Sequence, residues 1–220
     1  MIVDKNAKSL EENVFLTLED EILSGKLKRG DMLTETTLSA RLGVSRTPIR
    51  GALHRLYEEG LIDITTNRGA VVIGIGREEL VDIYKMRIRL EGLASAEATK
   101  RISEEDKKRL REIVELCDFY ISRRDAERLK ELDSEFHSII YLASGNRLLN
   151  KTLSELHRNI HFYRKRSLAV EDRLKKSVLE HKQILAAIES GDAEAADRLT
   201  SLHIEAALNN LLAVSDIEEQ

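Results

Sequence analysis

The sequence contains few cysteines, prolines and glycines, the residues that form disulfides and interrupt or end helices and strands. Its 220 residues include one cysteine, Cys117, so an intrachain disulfide and a CxxC metal site are both excluded. One proline, 11 glycines, no tryptophan and 4% aromatic residues, against abundant alanine, leucine, glutamate, lysine and arginine, predict a largely helical chain. No apolar run approaches the roughly 18 residues that a membrane helix needs, and the N-terminus is unlike a signal peptide. We therefore expect a cytoplasmic protein.

One stretch lacks negative charge although the chain as a whole is acidic. The formal net charge is −4, yet no Asp or Glu occurs from Thr36 to Tyr57. An acidic chain is a weak argument against binding nucleic acid. The local charge overrides it, because a phosphate senses charge within a Debye length of about 8–10 Å. The arginines of this stretch are Arg41, Arg46, Arg50 and Arg55.

The sequence GVSRTPIRGALHRL, residues 43–56, predicts a helix that begins at about Arg46. Ser45 is a suitable N-cap, and Pro48 is tolerated in the first turn, where a backbone N–H has no helical partner. The spacing i, i+4, i+7 predicts a buried stripe of Ile49, Leu53 and Leu56. The N-terminal end and the exposed side then carry donors suited to phosphates and base edges, namely Ser45, Arg46, Thr47 and Arg50.

The flanking segments complete a DNA-binding pattern. A short amphipathic helix, Thr36 to Leu42, and a turn at Gly43 precede the cationic helix, which is the order of a helix-turn-helix. Residues 62–73 show strand alternation around a polar turn and predict a small hairpin. A hairpin directly after a recognition helix is a wing, and Arg68 at its tip is placed for the minor groove or a phosphate.

The pattern L-x-E-x-x-L-x-x-x-L-G-V-S-R-T-P-I-R-x-A-L-x-x-L-x-x-E-G-L, from Leu33 to Leu61, resembles the DNA-binding domain of the GntR family of bacterial transcription regulators. Two positions depart from it. Thr36 stands where some relatives carry a DNA-contacting arginine, and Gly51 replaces a usual glutamate, at a cost of about 1 kcal/mol relative to alanine in a helix. The resemblance implies DNA contacts at Ser45, Arg46, Thr47, Arg50, Arg68 and Gly69.

The glycines at 74 and 76 mark a domain boundary. We expect a winged helix-turn-helix domain over residues 1–75, opened by an amphipathic helix at 4–24. We expect a second domain over residues 76–220, in which strand signals and proline are missing. Six helical patterns with short connections predict an all-α antiparallel bundle in a mainly α protein, with helices at 77–100, 104–124, 126–143, 147–167, 171–190 and 192–213.

Ionisable residues interrupt the apolar stripes of three helices in this bundle. Asp133 and His137 are four residues apart and share one helix face. His181 and His203 fall within the stripes of the last two helices. Because a buried ionisable group must be paired or coordinated, these four residues predict a divalent transition-metal site for Zn, Ni, Mn, Fe or Co.

Other interpretations remain open at these positions. Each histidine alone is also explained as a satisfied core residue. His157 and His161 are likewise four residues apart and form a rival pair beside Arg158 that could line the same cavity. Arg87 lies in the apolar row of the first bundle helix, where it is either a buried salt-bridge partner of Glu91 or a clamp for a ligand carboxylate.

The segments YKMRIRLEGLA, LDSEFHSII and EHKQILAAI and the helix of His203 resemble the FCD effector domain, the helical partner of GntR winged helices. In the metal-binding members, one aspartate and three histidines hold the ion. By position, the resemblance makes Arg87 an effector-carboxylate contact and implies the ligands Asp133, His137, His181 and His203.

The sequence thus predicts a homodimeric transcription regulator that binds a palindromic operator in double-stranded DNA and responds to a small organic acid. The acid would contact the metal and Arg87 together, and repression is the direction that the resemblance favours. One alternative keeps DNA binding and makes the metal purely structural. Another is a metal-dependent hydrolase or lyase. The sequence shows no clear general base beside the four residues, such as the Glu of HExxH, so we do not expect an enzyme. We also expect no membrane partner.

Overall fold

The computed structural model describes residues 9–65, 69–123, 125–160 and 171–214. The chain divides into two compact units, of which the first ends at Gly76 and the second begins at Arg77. Each unit has its own apolar core. Fully buried side chains include Phe15 and Ile49 in the first unit and Leu110 and Phe136 in the second.

The first unit is a winged helix-turn-helix. Its helices are α1 (Leu10–Leu23), α2 (Glu35–Leu42) and α3 (Arg46–Glu58), and its strands are β1 (Met32–Leu33), β2 (Ile62–Thr65) and β3 (Gly69–Val72). Strand β3 lies between β1 and β2 and pairs antiparallel with both, with Ile62 opposite Val72 and Leu33 opposite Ala70. The predicted helix-turn-helix and hairpin are confirmed.

Capping residues explain where the helices of this motif begin and end. The hydroxyl of Thr34 accepts a hydrogen bond from the N–H of Thr37 at 3.2 Å and caps α2 one residue earlier than predicted. Gly43 ends α2 with φ +68°, a left-handed conformation that glycine adopts without steric cost. Helix α3 then begins at Arg46, as predicted, and buries Ile49, Ala52, Leu53 and Leu56.

Two features of this unit differ from the sequence-based expectation. Helix α1 begins at Leu10, because Ser9, which the predicted helix included, caps it by accepting from the N–H of Glu12 at 3.0 Å; residues 4–8 of the predicted helix lie outside the described chain. Leu10 is exposed, and the buried face starts at Val14. Strand β1 is not predicted from the sequence, because two residues have no periodicity and depend on pairing with β3.

The second unit is helical wherever it is described. Its helices are α4 (Arg77–Thr99), α5 (Glu104–Arg123), α6 (Ala126–Ala143), α7 (Arg147–Asn159), α8 (Glu171–Ser190) and α9 (Ala193–Val214). Five of the six agree with the predicted bounds to within one residue. Helix α7 is followed by its C-cap residue Ile160, and the remainder of the predicted 147–167 helix falls outside the described residues. The all-α bundle is confirmed.

Helix α4 is the central element of this bundle, since it packs against α6, α7, α8 and α9. Small polar residues line its contact with α9. The hydroxyls of Ser95 and Thr200 are 2.7 Å apart and buried, and Ser201 donates to the carbonyl of Ile88 at 2.9 Å. The inner face of α4 therefore lies against the helices that carry the four predicted metal ligands.

Candidate nucleic-acid interface and metal centre

The N-terminal end of α3 presents an exposed polar surface. Its opposite face is buried in the core of the winged helix. The N–H groups of the first helical turn lack helical acceptors and favour anions. Four of the six residues predicted to contact DNA are exposed at this end: Ser45, Arg46, Thr47 and Arg50.

Two of these residues have local features that the sequence does not indicate. Ser45 occupies the N-cap position with an extended backbone, but its side chain makes no cap hydrogen bond. Arg50 is paired with Glu35, the first residue of α2, through Nε to Oε1 at 2.8 Å and Nη2 to Oε2 at 2.9 Å. Glu35 therefore engages the Nε and Nη2 edge of the Arg50 guanidinium.

The other two arginines of the basic stretch are held against the domain itself. Arg55 bonds Glu12 at 2.5 Å, and its guanidinium lies 3.7 Å from the ring centre of Phe15. Arg41 pairs with Glu21 at 2.6 Å. The stretch thus contains two groups of arginines. Arg46 and Arg50 lie near the N-terminal end of α3, and Arg41 and Arg55 pair with glutamates of α1.

Gly69 begins strand β3 and is exposed. Its φ is +89°, and a Cβ atom there would lie 3.1 Å from the carbonyl oxygen of Leu33. A glycine at this position is therefore required by the sheet itself, independently of any contact with DNA. Arg68, the predicted wing-tip contact, lies outside the described residues.

In the second unit, the four predicted metal ligands come together. Asp133 and His137 lie one turn apart on α6, His181 on α8 and His203 on α9, and all four are buried. One potential ligand atom from each residue lies within 4.8 Å of the others. Three helices therefore direct one carboxylate and three imidazoles to a common centre.

Individual distances within this cluster suit a shared ion. Nε2 of His181 is 3.3 Å from Nε2 of His203 and 3.5 Å from Oδ1 of Asp133. Nε2 of His137 is 4.0 Å from the same Asp133 oxygen. Ligand atoms about 2.0–2.2 Å from one ion are separated by roughly 3–4 Å, so only small movements would complete such a site. The ring of His181 is held in place by stacking on Phe136, with centroids 4.2 Å apart.

Two glutamates fix the orientation of two of these imidazoles. Nδ1 of His137 is 2.9 Å from Oε2 of Glu91 on α4, and Nδ1 of His203 is 2.7 Å from Oε2 of Glu180 on α8. Glu180 is not predicted from the sequence; its position directly before His181 is the only local signal, and its partner lies on another helix. With Nδ1 of His203 donating to Glu180, its neutral imidazole has the lone pair on Nε2, which faces the cluster.

The protonation of these groups favours the same arrangement. Burial lowers the pKa of His203 well below its usual value, and His137 and Arg173 lower it further. Burial would raise the pKa of Glu91, but Arg87 and His137 bring it well below the ordinary range. A neutral His203 and an ionised Glu91 leave inward-facing nitrogen lone pairs beside the Asp133 carboxyl. This donor set fits a divalent transition metal.

Arg87 is fully enclosed beside this cluster. It is 2% exposed and bonds Oε1 of Glu91 through Nε at 2.7 Å and Nη2 at 2.6 Å. Its guanidinium also lies 5.0 Å from the ring centre of Tyr84. The structure thus contains the salt bridge that was one of the two interpretations of Arg87 from the sequence.

His157 is buried close to the four residues, and two hydroxyl groups lie near its ring nitrogens. Its Nδ1 is 3.3 Å from the hydroxyl of Tyr141, its Nε2 is 3.4 Å from the hydroxyl of Ser134, and its ring centre is 5.9 Å from that of His137. It therefore lines the same region as the cluster without joining it. His161, the other member of the rival pair, lies outside the described residues.

Comparison with known proteins identifies the family of both units. Residues 10–72 match the family described as bacterial regulatory proteins, gntR family, and residues 82–206 match the FCD domain. The two matches lie on either side of the division at Gly76 and Arg77. The chain therefore belongs to the GntR family and carries an FCD domain, which confirms the resemblance read from its motifs.

Individual relatives agree with this assignment. The HTH-type transcriptional regulator YdhC of Bacillus subtilis is 30% identical over 188 residues, 84% of each chain. The gluconate operon transcriptional repressor of the same species is 35% identical over 126 residues, which are 57% of this chain and 51% of the repressor. The chain is thus a DNA-binding transcription regulator of a family in which some members are repressors.

Solved structures share the fold. McbR/YncC of Escherichia coli superposes with a TM-score of 0.74 at 23% identity, over 94% of this chain and 99% of that one. Lar of Listeria monocytogenes superposes with a TM-score of 0.70 at 19% identity, over 96% of this chain and all of the other. Among the described helices, none is long and apolar enough to cross a membrane.

Proposed function

We propose that this regulator binds a palindromic operator as a homodimer and that a small carboxylate, bound at a metal site in the FCD domain, controls its affinity for DNA. In each protomer, the N-terminal end of α3 enters the major groove. There Ser45, Arg46, Thr47 and Arg50 contact phosphates and base edges, while Arg68 and Gly69 of the wing contact the adjacent backbone or minor groove. Two-fold protein symmetry matches two half-sites of DNA.

The metal is held by Asp133, His137, His181 and His203. The observation that carries this proposal is the buried convergence of their ligand atoms within 4.8 Å. Nδ1 of His137 lies 2.9 Å from Glu91, and Nδ1 of His203 lies 2.7 Å from Glu180. When bound, a divalent ion with open positions supplies a Lewis-acidic site for a carboxylate oxygen. The surrounding side chains exclude water and fix the ligands.

The charges linked to the cluster favour an anionic effector. Arg87 with Glu91 and Arg173 with Glu180 form two balanced pairs. Asp133 adds one negative charge, so a divalent ion would leave one positive charge among these buried or half-buried groups. A buried charge requires a partner, and one carboxylate from an effector supplies it. Arg87 is the cationic side chain that we propose to contact that carboxylate.

Control of DNA binding requires that the effector favour one relative placement of the two winged helices in the dimer. A ligand with equal affinity for all placements would change nothing. We propose that the effector-free protein has the placement that fits the operator and that the effector disfavours it. The protein is then a repressor that the carboxylate releases from DNA.

A second candidate retains DNA binding but makes the metal purely structural. The observation that favours it is the engagement of Nε and Nη2 of Arg87 by Glu91, which takes up one of the two edges through which a guanidinium binds a carboxylate with two hydrogen bonds. On this candidate the protein binds metal and DNA, and no small carboxylate changes its affinity for either.

One set of measurements distinguishes the two candidates. Metal content is measured on the purified protein, and its thermal unfolding is recorded with and without mono-, di- and tricarboxylates. A ligand at about 100 times its Kd adds about 2.7 kcal/mol, a rise in Tm of roughly 5–10 °C. A stabilising acid that loses its effect after chelation, and that weakens operator binding, supports the regulated site. Bound metal without any responding acid supports the structural one, and no bound metal contradicts both.

A further inference from the structure

One carboxylate connects the candidate effector residue with a candidate metal ligand. Oε1 of Glu91 accepts from Arg87 at 2.6–2.7 Å, and Oε2 of the same side chain lies 2.9 Å from Nδ1 of His137. All three side chains are at most 2% exposed. The Nε2 atom of His137 points on to the cluster, 4.0 Å from Asp133. The residues thus form an uninterrupted series from Arg87 to the metal centre.

We propose that Glu91 is a positioning residue of the metal site and that Arg87 acts on metal affinity through it. This inference rests on the proposed metal site. Glu91 fixes the ring orientation and the tautomer of His137, so that Nε2 faces the ion. Arg87 holds Glu91 in the rotamer that reaches His137. Arg87 therefore has a role at the metal that is separate from any contact with an effector.

The physical reason is the complete burial of the series. No solvent can replace either contact of Glu91, because its side chain is 0% exposed. Without Arg87, Glu91 loses the cation that compensates the burial of its carboxylate. The carboxylate is then no longer held in the position that reaches His137. Outer residues that orient a ligating histidine typically change metal affinity by about 10- to 100-fold when they are substituted.

A second arginine–glutamate–histidine series, Arg173–Glu180–His203, occurs at the cluster in a more exposed form. Glu180 accepts from Nδ1 of His203 and is bonded by Arg173 at 2.7 Å. Here the glutamate side chain is 26% exposed, and Arg173 also donates to the carbonyl of His203 at 3.3 Å. Water can take over part of this series. We therefore expect the Glu91 series to influence metal affinity more strongly than the Glu180 series.

The test is a titration of metal-free protein with Co²⁺, followed by its visible absorption, in wild type, Glu91→Gln, Arg87→Met and the double variant. We expect each single variant to weaken Co²⁺ binding by about 10-fold or more and to change the absorption bands of the bound ion. Once Glu91 is glutamine, Arg87→Met should have little further effect, because its influence passes through the carboxylate.

Two variants separate positioning from a general loss of stability. Glu135 lies on the same helix as His137 but at the surface, where it is paired with Arg109 of α5. Glu135→Gln breaks that pair and should leave the Co²⁺ affinity within about twofold of wild type. Glu91→Asp keeps the charge and shortens the side chain. It should bind Co²⁺ with intermediate affinity and gives a second reading if Glu91→Gln fails to fold. The Tm of each metal-free variant is recorded alongside.

The outcomes distinguish this inference from the metal site itself. Wild type without Co²⁺ binding contradicts the proposed site and the inference with it. A second outcome is that Glu91→Gln, or Glu91→Asp, binds Co²⁺ as tightly as wild type and differs only in a lower Tm. That result would leave the metal site standing and overturn the positioning role of Glu91. Effects of Arg87→Met and Glu91→Gln that multiply independently to within about twofold overturn the link through Glu91.

Discussion

Glu35 and Arg50 form a two-bond ion pair between the first residue of α2 and the recognition helix, with Nε–Oε1 and Nη2–Oε2 distances of 2.8 and 2.9 Å. The pair engages Nε and Nη2, one of the two guanidinium edges through which an arginine can bind a guanine or a phosphate. The hydrogen bond from Arg50, together with the nearby charge of Arg50 and Arg46, lowers the pKa of Glu35. In the absence of DNA, an acidic side chain thus competes for a predicted DNA contact.

Removing this competitor should strengthen DNA binding. In Glu35→Gln, Arg50 is released and one negative charge next to the phosphates is lost. We expect the affinity for DNA at low salt to rise by roughly two- to fivefold, with a steeper dependence on salt concentration. Gel-shift or anisotropy titrations at several salt concentrations measure both. Glu104→Gln, which removes one ion-paired negative charge from the surface of α5, is the control, and equal affinities of the two variants would contradict the competition.

The division of the arginines into two groups makes a second prediction. Arg46→Ala should weaken operator binding by about 10-fold or more while Tm is unchanged, since a good base contact contributes about 1–3 kcal/mol. Arg55→Met should show the reverse, because Arg55 bonds Glu12 and covers Phe15. Its loss should cost about 1 kcal/mol of stability. Both variants are compared by thermal unfolding and DNA titration. An unchanged affinity of Arg46→Ala would remove it from the interface.

Much of this architecture can be predicted from the sequence, for identifiable reasons. Helix α6 carries Asp133, Phe136 and His137 on neighbouring positions of one turn, so periodicity alone brings the carboxylate and the imidazole to the same inner face. The same reasoning places His181 and His203 in buried stripes. Periodicity fails for Leu10, which fits the apolar spacing of α1 but lies at its exposed first turn.

Contacts between elements are what the sequence does not provide. That Glu180 on α8 reaches His203 on α9, and that Glu35 reaches Arg50, depends on how the helices pack. Strand β1 exists because β3 offers it a pairing edge. Arg87 is the instructive case: its row on α4 indicates burial, but only the packed bundle shows that Glu91 joins it to His137.

Metal binding should be measurable through the single cysteine. Cys117 on α5 is 2% exposed, and burial raises the pKa of its thiol from 9.0 to about 12, with a further contribution from Asp118. At pH 8 the native thiolate is therefore negligible, and a disulfide reagent reacts only after this part of the bundle opens. If metal binds only the closed form, metal at 100 times its Kd should slow labelling about 100-fold.

Chelation and one substitution control that measurement. Excess chelator should restore the fast labelling of wild type. In His181→Ala, labelling should be equally fast with and without metal, because one of the four proposed ligands is gone. Slow labelling of His181→Ala in the presence of metal would show that the ion binds elsewhere, with His157 as an alternative imidazole 5.9 Å from the His137 ring.

The glycine in the middle of the recognition helix makes a last prediction. A Cβ atom at position 51 would lie 2.3 Å from the carboxylate of Glu11 on α1, so the glutamate now occupies the space of a side chain. Glu11 is exposed and its carboxylate can rotate away, whereas alanine gains up to about 1 kcal/mol over glycine within a helix. Gly51→Ala should therefore raise the stability of the winged helix by somewhat less than that amount, as measured by chemical unfolding. In the Glu11→Ala background the full gain should appear; a loss of stability in both backgrounds would show that α3 needs glycine for a reason other than this contact.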